Sequence, residues 1–280
     1  MRFFSILKPG IIFGNLVTIC GGVFLATQGK LNLEVLLAAL LSMSLIIGSG
    51  CVLNNYIDRD IDHLMERTKN RVLVQQLLSV RIAIVYAICL AIAGFLLLGF
   101  ATNLLTVSIA ALGVFFYVVL YSLYFKRKSN YGTLIGAVSG AVPPVIGYCA
   151  VTGHFDSAAF SVFLILFLWQ MPHFYAIALY RLSDYEAASL PVLPLRKGIP
   201  HTKKSILYYT AAFTVAAVMP SVLGYTGWVY GLVAFCFGLA WFLLGLQGLK
   251  TTEDRAWARK MFLFSIITIM VLSMAMLVKV

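Results

Sequence analysis

Acidic residues are scarce in this 280-residue chain: ten Asp and Glu stand against 21 Lys and Arg. Charged residues make up 11% of the total, where soluble domains carry about 25%. So little charge excludes a water-soluble globular fold. Cysteine is thin as well, and the five residues at 20, 51, 89, 149 and 236 form no CxxC pair and no metal-ligand spacing. They are expected as core residues. No small-x-small cleavage site ends the first apolar stretch, so it is expected to stay as a membrane helix.

Apolar sequence fills the chain instead, with 61% hydrophobic residues and a mean hydropathy of +0.95. A spanning helix needs about 17 to 25 mainly apolar residues. Nine stretches qualify: Ile11 to Thr27, Val35 to Ile57, Ile82 to Leu98, Leu104 to Phe125, Gly132 to Val151, Ser157 to Tyr180, Ser205 to Tyr225, Val229 to Leu249, and Met261 to Val278. The expected fold is all-α, a polytopic bundle of nine transmembrane helices. Of the 21 basic residues, only Lys30 and Lys279 fall opposite the N-terminus. Because cytoplasmic loops are rich in Lys and Arg, the N-terminus is expected inside and the C-terminus outside. The formal net charge of +11 is then a topology signal and not a nucleic-acid footprint.

Outer loops such as Gly99 to Asn103 are short, whereas the inner loops at 58 to 81 and 181 to 204 are long. Long loops in compact proteins are usually functional. Both follow an apolar helix, contain acids and run into a basic segment. This suggests one membrane domain over 1–280, built as two four-helix halves (about 1–130 and 131–250) plus a ninth helix. Helix five carries Gly132, Gly136, Gly140 and Gly147 with Pro143-Pro144 in its middle, a pattern for close helix approach and a broken hydrogen-bond ladder.

The run Asn54-Asn55-Tyr56-Ile57-Asp58-Arg59-Asp60-Ile61-Asp62 ends the second stretch. At helical spacing Asn54, Asp58 and Asp62 share one stripe. Acids at membrane depth are functional candidates by default, and clustered carboxylates repel unless a cation joins them. The plain alternative is that they pair with Arg59, Arg67 and Lys69 in a wetted loop. Mg²⁺ joins one or two carboxylates to substrate phosphates. Arg67, Lys69 and Arg71, with Lys126, Arg127 and Lys128 on the next inner loop, supply bases for phosphate oxygens at the same mouth. A diphosphate with a lipophilic remainder fits both demands, and an isoprenyl diphosphate is such a molecule.

The same run, continuing through Met65-Glu66-Arg67-Thr68-Lys69-Asn70-Arg71, resembles the first aspartate motif (NxxxDxxxD) of the UbiA-type intramembrane prenyltransferases. More narrowly it is similar to the protohaem IX farnesyltransferases, or haem O synthases. Lys8-Pro9, Tyr121 through Arg127, Pro143 through Tyr148, Trp169 through Phe174, and Asp184-Tyr185 through Pro194 agree in order, so the resemblance covers nearly the whole chain. It implies a bundle around a central cavity, with Asn54, Asp58 and Asp62 holding Mg²⁺ against the diphosphate of farnesyl diphosphate. It implies an allylic cation shielded from water, attack by a vinyl group of haem B, and quenching by water to haem O. It also names a haem A synthase or a terminal oxidase as candidate partners, besides the lipid bilayer. With the short termini it suggests a bacterial inner membrane and a cytoplasmic mouth.

The chain departs from quinone-type members where a second DxxxD is usual, since Asp184 has no acid four residues on. Asp184 is therefore expected to help hold a second metal or to orient a base. The family's YxxxK spacing fits Tyr124 and Lys128, while Lys126-Arg127 match its basic pair, and both stay open. His173 is the one histidine inside an apolar stretch, a turn after Trp169. Either it is a hydrogen-bonded structural residue, or it binds the haem iron with Trp169 flanking the porphyrin. Arg181 to Leu190 is expected to form a short helix or lid over the mouth. The rival functions are a quinone-pathway prenyltransferase and a transporter. The missing second acidic pair argues against the first, and the lack of acids near mid-membrane argues against the second.

Overall fold

Four polar residues set where helices begin. In the computed structural model, which describes residues 2–27 and 30–278, Asn32 Oδ1 accepts from the N–H groups of Glu34 (3.0 Å) and Val35 (3.2 Å). Asn103 Oδ1 accepts from Thr106 (2.9 Å), Asp156 Oδ1 from Ala158 (2.9 Å) and Ala159 (3.0 Å), and Ser79 Oγ from Ile82 (3.3 Å). Each cap satisfies helix N–H groups that lack an internal partner, which is worth about 1 kcal/mol.

Nine helices long and apolar enough to cross a membrane follow among the described residues: α1 (Pro9–Thr27), α2 (Leu33–Ile57), α3 (Val80–Ala101), α4 (Leu104–Lys128), α5 (Gly132–Thr152), α6 (Ser157–Tyr180), α7 (Ile199–Val222), α8 (Trp228–Lys250) and α9 (Asp254–Ala275). Those residues contain no strand. The ninth helix starts seven residues before the expected Met261, because Trp257, Ala258, Met261 and Ser265 form a buried stripe that carries the charged segment into the helix. Lys279 lies outside the described residues.

α2 lies along α3, α1 crosses α5, α7 pairs with α8, and α6 packs on both α7 and α9. α9 returns to α1, so the last span meets the first. The α1–α5 crossing depends on two glycines. A Cβ on Gly22 would stand 1.9 Å from the Pro144 carbonyl oxygen, and one on Gly147 would stand 2.2 Å from that of Ile19. Bare backbones therefore touch, which is how membrane helices pack without a hydrophobic driving force. α5 is interrupted at Ala141, between Gly132–Gly140 and Val142–Thr152, with the two prolines in the first turn of its second half. Proline is tolerated there because no helix N–H is lost.

α4 departs from the expected plain span. Its stretch Phe115–Phe125 is a π-helix, and Ser122 Oγ donates to the Tyr117 carbonyl (2.8 Å) inside it. Cysteine placement also differs from expectation: Cys51 and Cys149 are buried, but Cys89 and Cys236 are exposed on outward helix faces.

The two long loops meet on the basic face. Met65, Ala188 and Leu190 bury one another there, with Ile61, Tyr185 and Val192 packed around them. The second loop carries short helices Leu182–Ala187 and Leu193–Lys197, the first of them inside the segment expected to form a lid.

Candidate active site

α2 stops at Ile57 and the chain restarts as the single turn Arg59–Asp62, leaving Asp58 at the joint. Its N–H donates to the Asn54 carbonyl (2.9 Å), and its own carbonyl accepts from Asp62 N–H (2.8 Å). The stripe read from spacing is thus real, and the structure brings its three members together. Asp58 and Asp62 are 0% and 1% exposed. Enclosed carboxylates need compensation, and each finds its hydrogen bonds on one oxygen only. Asp58 Oδ2 takes Lys126 Nζ and the Asn54 amide (2.8 Å), while Asp62 Oδ2 takes Arg71 Nη1. Asp58 Oδ1 and Asp62 Oδ1 are enclosed and have no hydrogen-bond partner.

Arg127 grips Asp60 with both terminal nitrogens (2.6 Å each), and its Nη2 lies 3.9 Å from Asp58 Oδ1. The Arg127 guanidinium holds the Asp60 carboxyl below the usual range. Lys126 and Arg127, not Lys128, therefore meet the acids; Lys128 sits over the Tyr124 ring at 4.3 Å. Arg67 is exposed, near enough to Tyr121 and Tyr185 for its charge to bear on both. Lys69 is not turned to the acids: it pairs with Glu66 at the surface (2.7 Å). Asp184 is buried and Oδ1 accepts from Glu66 N–H (3.0 Å), so it holds the loop that follows Asp62.

Several members come from parts of the chain whose spacing gave no sign of them. Asn55 Nδ2 donates to the Ile6 carbonyl (2.8 Å), tying down the N-terminal segment so that Lys8 Nζ reaches Asn54 Oδ1 (2.6 Å). Burial, and then the Arg71 charge, hold the Lys8 amine down to about 8. Ser122 Oγ accepts a second bond from Asn54 Nδ2 (3.1 Å). Tyr117 and Tyr121 stack at 6.1 Å on the same π-helical face, and Tyr117 lies against Gly50 of α2. Tyr185, whose phenol burial pushes up and the Arg67 charge pulls back, completes the far side. Lys8 stands inside a quoted family stretch, and that was its only signal.

Trp169 and His173 stand apart from the acids, between α6 and α9. Their rings stack at 4.5 Å, Phe262 lies 5.2 Å from the imidazole, and Trp169 Nε1 donates to the Ser265 carbonyl (2.8 Å).

Among the described residues, no group of three or more His, Cys, Asp or Glu side chains is placed to hold a metal ion. Two enclosed, unpartnered carboxylate oxygens beside an amide are nonetheless a donor set that Mg²⁺ accepts when phosphate oxygens complete its shell. The residues fit the ion. The profile of the UbiA prenyltransferase family matches residues 15–267.

The chain belongs to that family.

It is accordingly a prenyltransferase enzyme, and the resemblance drawn from its motifs is borne out. Curated relatives called protoheme IX farnesyltransferase include one from Yersinia pseudotuberculosis, 54% identical over 98% of this chain and 93% of its own, and one from Photorhabdus laumondii, 53% identical over 98% and 94%. Among solved structures, a UbiA homologue from Archaeoglobus fulgidus bound to GPP and Mg²⁺ superimposes with a TM-score of 0.70 at 14% identity, covering 99% of both chains. A digeranylgeranylglyceryl phosphate synthase reaches 0.79 at 16% identity, covering 99% and 98%. These two likenesses establish the UbiA fold.

Proposed function

We propose that this family member transfers the farnesyl group of farnesyl diphosphate to a vinyl carbon of haem B, water addition then giving haem O and releasing diphosphate. The observation that carries the reading is the pair Asp58 and Asp62, each enclosed, with one oxygen bonded to a cation and one without a hydrogen-bond partner. The farnesyltransferase relatives support the donor and acceptor.

Asp58, Asp62 and Asn54 would hold Mg²⁺, which when bound neutralises the diphosphate so that it leaves readily. Lys126, Arg127 and Arg71 are already at the carboxylates, and Lys8 at Asn54. As diphosphate arrives, these cations turn to its oxygens and free the acids' second oxygens; Lys8 releases Asn54 in the same exchange. Arg67 stands at the rim as a further phosphate contact. Asp184, fixed to Glu66 N–H, positions the first loop over this group. The bond between farnesyl C1 and its bridging oxygen then breaks, with the electron pair going to diphosphate. The faces of Tyr117 and Tyr121 stabilise the allylic cation, and the packed loops keep bulk water from it. The vinyl π electrons form the new carbon–carbon bond, and one water quenches the resulting cation with loss of a proton.

Trp169 and His173 are assigned to haem. The chain is proposed to sit in a bacterial inner membrane as one domain of two four-helix halves plus α9, with the N-terminus and the acidic mouth cytoplasmic. Incubating membranes that contain the protein with haem B, farnesyl diphosphate and Mg²⁺, followed by mass spectrometry of the porphyrins, tests the reading. A porphyrin heavier by one farnesyl and one hydroxyl group is expected; unchanged haem B, or prenylation of an added quinone precursor instead, would overturn it.

A further inference from the structure

Ser265 lies on α9. Its Oγ is 2.6 Å from the Phe262 carbonyl oxygen and 2.6 Å from His173 Nδ1. A hydroxyl has one proton. Two oxygens 2.6 Å apart without a proton between them would repel, so the hydroxyl keeps that proton and donates it to the Phe262 carbonyl. The imidazole must then be the donor at the other contact, with its hydrogen on Nδ1. Its Nε2 makes no hydrogen bond and is not among the fully enclosed unpartnered atoms of the described residues, so its lone pair is left unused and not wholly sealed. Trp169 stacks on the ring and donates to the carbonyl of the same Ser265, which fixes ring and serine together.

We infer that Ser265 is a positioning residue: it locks His173 as the Nδ1–H tautomer and presents a bare Nε2 lone pair as an axial ligand for the iron of the haem substrate. This rests on the assignment of His173 to haem made above. A histidine that ligates a metal almost always donates its other N–H to a fixed acceptor, and losing that acceptor costs about tenfold or more in affinity.

The chain has four histidines, so ¹⁵N-histidine labelling of the full-length protein in micelles, without haem, reads tautomers directly. The signal that disappears in His173→Ala is expected to show a protonated Nδ1 and an unprotonated Nε2; the reverse pattern overturns the inference. Titration with haem B is expected to show about tenfold weaker binding and a shifted Soret band in Ser265→Ala. Ser265→Thr should restore both, and farnesyl diphosphate binding should be unchanged throughout. Haem affinity in Ser265→Ala equal to wild type would sink the role of Ser265. A haem spectrum unchanged in His173→Ala would sink the underlying assignment instead.

Discussion

Asp58 and Asp62 were legible in sequence because a helix repeats every 3.6 residues and their spacing keeps one face. Lys126 and Arg127 were legible as bases at the same mouth, but Lys8, Ser122 and Tyr185 were not legible from local pattern, because they arrive from other elements that no local spacing links to α2. Asp58→Asn keeps the shape and removes the charge, and is expected to lower farnesyl transfer at least a hundredfold while the protein still inserts. Mass spectrometry of porphyrins, with a membrane-fraction blot for insertion, checks this; near-normal turnover at saturating Mg²⁺ would refute it. Lys8 supplies a pH signature. Its amine is held down to about 8 from the ordinary 10.5. Between those values the unfolded chain binds the extra proton, so this residue makes stability rise with pH across that window and leaves it flat on either side. A diphosphate beside Lys8 favours the charged amine, so binding near pH 8.5 should take up a proton. Calorimetry in buffers of different ionisation enthalpy reads that uptake, and Lys8→Met should abolish it.

At the scale of elements, hydropathy placed nine helices correctly but could not see two things. The charged start of α9 is helical because its apolar stripe continues through Trp257 and Ala258, a pattern that mean hydropathy averages away. The π-helix in α4 is invisible because wider winding leaves composition untouched. It has consequences: bonds from residue i to i+5 bring Tyr117, Ser122 and Lys126 to one side, and π stretches often mark functional sites. Deleting the outward-facing Val119 should rotate Ser122, Lys126 and Arg127 by about a quarter turn away from Asp58. Folded protein that no longer binds farnesyl diphosphate is the expected result, measured by size-exclusion profile and ligand titration. At the α1–α5 crossing, Gly147→Ala puts a methyl where the Ile19 carbonyl already stands. A loss of about 1–3 kcal/mol is expected, seen as a lower melting temperature in detergent.

For the whole molecule, family and medium were readable because they are written in long ordered motifs and in composition. The metal is the global dependence to test: chelation should stop turnover, and added Mg²⁺ should restore it without refolding, as monitored by an unchanged circular dichroism spectrum. The junction of the two long loops carries a further implication. Asp184 grasps backbone 118 residues away at Glu66, and a greasy seam of Met65, Ala188 and Leu190 runs beside that grasp. Either flap swinging out alone would break that bond and open that seam. Admitting a diphosphate from the aqueous side therefore favours a concerted hinge, so the two loops would breathe as one door and not as a pair of independent shutters.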